Sequence, residues 1–264
     1  MEIISRTIEY PSRTDSFRII PLADIHLGNE ACAEKTLKAT AKEIAEDPHA
    51  YTVLMGDMCD WINRSDKRFD PESLPSWLWG VGDTAKAQRE HLIEILRPIG
   101  HKVLAILEGN HERTIERKYE RDVYSTIGEA LGDGEHKLLM GPSGFLRLSF
   151  RRRGEGAFVV TMFLTHGWWG GRLMGNGGLN LERVAGWVDA DIIAAGHDHK
   201  RRALGLSKLR ATAHTIRKMD VHCISCGTFL EMAKYAEEHG YRPQPVGPVE
   251  IHIRPDRKEV RVLT

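Results

Sequence analysis

Residues 51–60, YTVLMGDMCD, carry an apolar run of strand length that stops at Gly56 and opens onto two carboxylates, Asp57 and Asp60. A run rich in Val, Leu and Met, without polar alternation, fits a strand buried on both faces. The same plan recurs on either side. FRIIPLADIH (17–26) ends on Asp24 and His26, and KVLAILEGNHE (102–112) ends on Gly109, Asn110, His111 and Glu112. FVVTMFLTHG (158–167) ends on His166 and Gly167, and DIIAAGHDH (191–199) ends on Gly196, His197 and His199. α/β folds hold their ligands outside the carboxyl ends of the strands. Every metal-type side chain in these five segments falls there.

Helical patterns separate the runs. ACAEKTLKATAKEIAED (31–47) sets Leu37, Ala41, Ile44 and Ala45 on one side, and TAKAQREHLIEILRPIG (84–100) does so with Leu92, Ile95 and Leu96. Beyond residue 200, HTIRKM, VHCISCGTF, VEIHIRP and EVRVLT suit antiparallel strands, read as a second sheet packed on the first. Residues 61–83 combine turn residues with three tryptophans and weak periodicity. They fit an insertion or lid above the strand ends of one domain spanning 1–264. GGRLMGNGGLN (170–180) reads as a mobile loop near the site, and RRRGEGAF (151–158) as a basic hairpin turn.

A chain of 264 residues can bury a full core. Its 37 Lys plus Arg balance its 37 Asp plus Glu, so the global basic excess of a protein that holds nucleic acid by its phosphates alone is missing. No apolar run approaches a membrane span, and the first residues lack the apolar stretch of a signal peptide. Four scattered cysteines fit a reducing compartment, so a cytoplasmic enzyme is expected. Cys223 and Cys226 form a lone CxxC in a strand-like segment, and without a second pair to complete a zinc site they read as structural.

Taken in order, Asp24-x-His26, Gly56-Asp57-x-x-Asp60, Gly109-Asn110-His111-Glu112, His166-Gly167 and Gly196-His197-x-His199 closely resemble the calcineurin-like metallophosphoesterases over residues 17–200. The resemblance implies a four-layer α/β/β/α sandwich of two mixed sheets, with a dinuclear metal site at the strand C-terminal ends. It implies one metal on Asp24, His26, Asp57 and His199, and another on Asp57, Asn110, His166 and His197, with Asp57 as the bridge. Imidazole, carboxylate and one amide oxygen suit borderline divalent ions, manganese first and iron, zinc or nickel after it. Two such ions roughly 3.5–4 Å apart can clamp the attacking and leaving oxygens of an in-line displacement.

By the same resemblance His111 binds no metal but faces the phosphate as leaving-group acid, with the Asp60 carboxylate behind it. Glu112 is a candidate for orienting a ligand, and Arg113 either contacts phosphate or faces water. Trp168 and Trp169 read as an aromatic rim for substrate or as core residues, and Arg172 and Asn176 as reaching a phosphate from the glycine-rich loop. His49, His91, His101, His136, His214, His222 and His239 read as packed or solvent-facing.

The implied activity is hydrolysis of phosphate esters, diesters slightly ahead of monoesters, by a hydroxide held between the metals. A nuclease acting on DNA or RNA is the alternative. The wording DIHLG, GNHE, THG and GHDH is nearest to bacterial and phage phosphoesterases grouped with repair-type nucleases, whereas Trp61 follows Asp60 where protein phosphatases have Arg-Gly. A metal-stabilised interaction scaffold without turnover stands third.

Overall fold

The computed structural model describes residues 1–154, 156–171 and 173–264. In chain order it contains β1 (Glu2–Tyr10), β2 (Phe17–Leu22), α1 (Glu34–Glu46), β3 (Ala50–Leu54), α2 (Thr84–Leu96), β4 (Val103–Leu107), α3 (Asn110–Tyr119), α4 (Val123–Leu131), β5 (Leu139–Gly141) and β6 (Ser143–Arg152). It continues with β7 (Phe158–Thr165), α5 (Met174–Trp187), β8 (Ile192–Ala195), β9 (Arg201–Ala211), β10 (Ile216–Thr228), α6 (Lys234–Glu238), β11 (Gly247–Pro248), β12 (Glu250–Arg254) and β13 (Glu259–Leu263).

Two mixed sheets result. One runs β13-β12-β2-β3-β4-β5, and the other β1-β6-β7-β8-β10-β11 with β9 also paired to β10. Strands β2 to β5 pair in parallel, as do β7 with β8 and β8 with β10, so five ligand-bearing loops leave from strands of two sheets. Between the sheets lies an apolar layer including Ile19, Val53, Leu107, Leu146, Leu148, Met162 and Ile192. A second layer packs Leu37, Ile44, Leu92, Leu96 and Ile127 of α1, α2 and α4 against Ile20 and Leu54. A third packs Leu181, Val184, Ala185 and Val188 against Phe163 and Ile193. The expected four-layer α/β/β/α sandwich is therefore the fold.

Three sequence expectations change in detail. The sheets do not divide the chain at residue 200. Strands β7 and β8 join β9 and β10, while β12 returns to the first sheet, pairing Ile251 with Ile19 and Ile253 with Phe17. Alternation of Ile251 and Ile253 places both in the inter-sheet layer, which decides where that strand goes. The glycine-rich stretch 170–180 is not a loop throughout, because α5 starts at Met174. Its stripe of Leu181, Val184, Ala185 and Val188 has helical spacing, and its burial outweighs the helix cost of glycine, roughly 1 kcal/mol each. Ala45 is exposed, so the buried face of α1 is Leu37, Thr40, Ala41 and Ile44.

Residues 61–83 hold two single turns of 3-10 helix, Pro71–Ser73 and Ser76–Leu78, with Trp61 and Leu78 buried and Trp79 exposed. Residues 151–158 join the antiparallel strands β6 and β7, as the hairpin reading expects. Cys223 and Cys226 lie buried on β10, and burial pushes their thiols up, Cys223 to about 11. Among the described residues no helix is long and apolar enough to cross a membrane.

Candidate metal centre

At the ends of β2, β3, β4, β7 and β8 the backbone has to turn sharply while aiming side chains at one point. Among the described residues eight non-glycine positions have positive φ, and five of them are Asp24, His26, Asp57, His197 and His199. Such conformations cost on the order of 1–3 kcal/mol each and persist only where the surroundings enforce them. Here the loops enforce one another. His26 N donates to Asp57 O at 3.0 Å, Leu27 N to Met58 O at 3.2 Å and Phe229 N to Asp24 O at 3.1 Å. Space is equally tight, since a Cβ on Gly109 would lie 2.2 Å from both the amide nitrogen and Oδ1 of Asp57.

Glu112, in the first turn of α3, is fully buried and ties two loops together. Its Oε2 accepts from Asp57 N and Gly109 N, both at 2.9 Å, and its Oε1 from Met58 N at 2.8 Å and Trp61 Nε1 at 3.0 Å. The tryptophan that replaces Arg-Gly after Asp60 is thus a pin for this carboxylate.

Two ligand-type clusters match the expected sets, one of Asp24, His26 and His199 and the other of Asp57, His166 and His197, and a third, of His26, Asp60 and His111, overlaps the first. Asp57 stands between the first two, with Oδ2 3.3 Å from His166 Nε2 and 4.0 Å from His26 Nε2. Its Oδ1 is occupied by the amide of His111 at 2.9 Å. Asp24 accepts the amide of His197 on both oxygens, at 2.8 and 3.1 Å, and lies 3.8 Å from His199 Nε2. Asn110 Oδ1 is 2.9 Å from His166 Nε2.

The donor set fits divalent ions. His166 Nδ1 lies 2.8 Å from the carbonyl of Met55, which can only accept, so Nδ1 carries a hydrogen and the lone pair of a neutral ring falls on Nε2. That Nε2 faces two oxygen acceptors, of Asn110 and Asp57, an arrangement that needs positive charge between or on them. In the first cluster His26 Nε2 and His199 Nε2 are 3.3 Å apart. Two nitrogens each about 2.1 Å from a shared ion at a tetrahedral angle stand about 3.4 Å apart. Thr228, whose hydroxyl donates to Asp24 O at 2.9 Å, turns its oxygen to His199 Nδ1 at 3.5 Å and leaves Nε2 facing the cluster.

The electrostatics carry the same signature. Burial would lower His166, but the Asp57 carboxylate beside it raises it to about 10. Burial lifts Asp24 to about 7 and presses His197 down to about 4. Asp57 is held well below the usual carboxylate range against its burial, chiefly by His166 and His111.

His111 reaches across to residue 60, whose carboxylate shares a cluster with the His111 and His26 rings. Its Nδ1 meets the backbone carbonyl of Asp60, while the Asp60 carboxylate turns to His26, with Oδ1 3.4 Å from Nδ1. The His26 and His111 rings meet edge to face at 4.8 Å. The loop geometry explains this placement, because Asp60 N is bound to Leu27 O at 3.0 Å and the side chain then faces the β2 loop.

A cavity of about 700 Å³ opens over the clusters, lined by His26, Asp57, Asp60, Asn110, His111, His197 and His199. One wall is Ile62 and residues 67–74, and another is residues 230–244. Lys234 joins the walls through ion pairs to Asp70 at 3.1 Å and Glu72 at 2.6 Å. His239, read from sequence as packed or solvent-facing, is exposed on the second wall, whereas Tyr241 and Arg242 of that wall escaped the sequence reading, as did Lys67, Arg68 and Lys200. The first wall falls within residues 61–83, read from sequence as an insertion or lid, and the density of charge in DKR (66–68) is the signal that could have singled out Arg68.

Several expected substrate contacts lie elsewhere. Arg113 pairs with Glu108 at 3.2 Å and does not line the cavity. Trp169 is 6% exposed, packed with Phe163 and Leu181, and so takes the core alternative. Trp168 is 63% exposed, stacks edge to face on Trp169 and lies off the cavity wall. Asn176 is exposed on the first turns of α5 and, though its amide lies against Gly171 of the cavity wall, is not itself in the lining. Arg172 lies outside the described residues.

The family profile described as Calcineurin-like phosphoesterase matches residues 17–201, and the chain belongs to that family. No curated protein matches significantly. Among solved structures, a conserved protein of Streptococcus pneumoniae described as a predicted phosphoesterase is similar at 12% identity, covering 95% of this chain and 91% of its own, with a TM-score of 0.37. A Thermotoga maritima protein solved by NMR is similar at 14% identity, covering 94% and 98%, with a TM-score of 0.35. The family match alone carries the assignment.

Replacing Glu112 tests how the centre is held. Glu112→Ala leaves four buried donors unmet, at about 1–3 kcal/mol each before relaxation. A lower melting temperature is expected together with weaker uptake of metal at both clusters, read by thermal denaturation and metal titration. Loss of stability with unchanged metal affinity would show that Glu112 does not set the loop of Asp57.

Proposed function

We propose that this protein is a phosphoesterase that hydrolyses phosphate esters at a dinuclear metal site. The observation that carries the reading is the placement of Asp57 between two His/Asp clusters at the floor of a cavity. Asp24, His26, Asp57 and His199 would hold one ion, and Asp57, Asn110, His166 and His197 the other. Bound there, two divalent ions supply Lewis-acid charge and lower the pKa of a bound water.

The chain's own residues do the rest. Met55 and Thr228 face the Nδ1 atoms of His166 and His199 and orient those rings, and the buried Asp24 holds the backbone amide of His197. His111 lines the cavity with Nδ1 directed at the Asp60 carbonyl, which fixes the hydrogen on that nitrogen. When the ring is protonated, Nε2–H is the donor left for the departing oxygen of the ester. Asp60 therefore acts in two ways, its carbonyl setting His111 and its carboxylate facing His26. Residues 61–83, within one domain over the whole chain, serve as the lid of the cavity.

Small phosphodiesters and monoesters are the favoured substrates. The nuclease reading is favoured by the motif wording GNHE and GHDH. Turnover of mono-, di- and triesters, cyclic nucleotides and single-stranded DNA with manganese, zinc, nickel and iron tests the proposal. No hydrolysis of any of them by metal-loaded protein would leave a metal-bound scaffold.

Metal content separates the shared ligand from a private one. Asp57→Asn should deplete both ions, whereas His26→Ala should chiefly loosen one; elemental analysis showing a single tight site in the wild type would end the dinuclear reading.

His111→Ala should keep both metals and the fold while slowing turnover. Loss of a positioned acid costs about 10²–10⁴-fold. The loss should be larger for alkyl or nucleotide esters than for p-nitrophenyl esters, whose leaving group departs without a proton, and Asp60→Asn, which retains the carbonyl, should follow more weakly. Equal losses on both ester types would remove His111 from the role of acid.

A further inference from the structure

The wall of residues 67–74 contributes a cation that the mechanism above leaves without a task. Arg68 lines the same cavity as Asp57, Asp60 and His111. Unlike Lys67, it is built in. Its Nε donates to Asp66 Oδ1 at 3.1 Å, its Nη2 to Asp66 Oδ2 at 3.0 Å and its amide to Asp66 Oδ1 at 3.0 Å. Asp66 is itself buried and backbone-bound, donating to Asn63 O at 2.9 Å and accepting from Phe69 N at 2.9 Å.

A guanidinium has five N–H donors along two usable edges. Asp66 fills the Nε/Nη2 edge, and the Nη1/Nη2 edge has no partner among the described residues. Paired on one side and held in place, such a fork loses little freedom when a second oxyanion arrives. The field is right as well. The bond to Asp66 raises the pKa of Arg68, and Asp60 and Asp57 add to it through space, which places the guanidinium within electrostatic reach of the metal floor. Arg113, the arginine that the motif suggested, is committed to Glu108 instead.

We propose that Arg68, set in place by Asp66, is the phosphate-binding side chain of this cavity, its Nη1/Nη2 edge receiving a phosphoryl oxygen of the ester. The proposal rests on the phosphoesterase reading for the identity of the anion, and makes Asp66 a positioning residue.

The test is calorimetric titration of metal-loaded full-length protein with inorganic phosphate, alongside KM and kcat for the best ester of the panel. Arg68→Ala should weaken phosphate binding about 10–100-fold, the range of a charge-assisted hydrogen bond. KM should rise by a similar factor, kcat should fall less, and both metals should stay. Arg68→Lys should recover part of the affinity, and Asp66→Asn should lose part of it with little change in kcat. Phosphate affinity of Arg68→Ala within threefold of wild type, or a wild type that binds no phosphate, overturns the proposal. Should Arg68→Ala melt early, Arg68→Gln, which keeps the side-chain length, gives the same reading. Phosphate affinity that depends on Arg68 in a protein hydrolysing no ester sinks the hydrolase reading and keeps this one; ester turnover indifferent to Arg68→Ala does the reverse.

Discussion

Four hydrogen bonds to one buried carboxylate hold this centre together. Glu112 receives the amides of Asp57, Met58 and Gly109 and the indole of Trp61, so the loops after β3 and β4 are fixed by a single side chain. A buried acceptor in a low-dielectric surrounding is expensive unless fully satisfied, and once satisfied it is rigid. That rigidity lets Asp57 sit at φ 50° with its two oxygens facing different partners. Remove the carboxylate and four donors, not one, lose their reason to be where they are.

The centre is also assembled across the sandwich and not on one sheet. Asp24, Asp57 and Asn110 come from loops of the first sheet, and His166, His197 and His199 from loops of the second. Each of the two ligand sets draws on both sheets, so packing of the inter-sheet layer, with Val53, Leu107 and Met162 near the strand ends, sets how closely the members of each set approach. Core packing and site geometry are one constraint here, since interiors this dense transmit small shifts.

Much of this was legible in the chain. Strand-length apolar runs stopping at Asp, Asn and His marked both the strands and the pole of the fold where chemistry gathers, because period and polarity are local properties. What the sequence left open was decided by distant partners. Trp168 and Trp169 are identical neighbours in sequence, yet one is exposed and the other is packed on Leu181 of a helix the glycines had hidden. That Asp60 faces His26 as well as His111 follows from its amide, which is bound to Leu27 O and turns the residue toward the loop after β2. The wall at 230–244 has no periodic pattern, and only its approach to residues 70–72 through Lys234, more than 160 positions away, gives it meaning.

The two walls of the cavity belong to segments that supply none of the proposed metal ligands. Residues 62–74 and 230–244 rise from the rim, while the floor comes from strand ends locked by the core. Floor and walls can therefore diverge at different rates over evolutionary time. A lineage can exchange either segment and acquire a new range of organic groups while the reaction at the phosphorus stays as it was. Whatever the cavity receives is therefore selected by the least regular parts of the chain, and the floor is indifferent to their exchange.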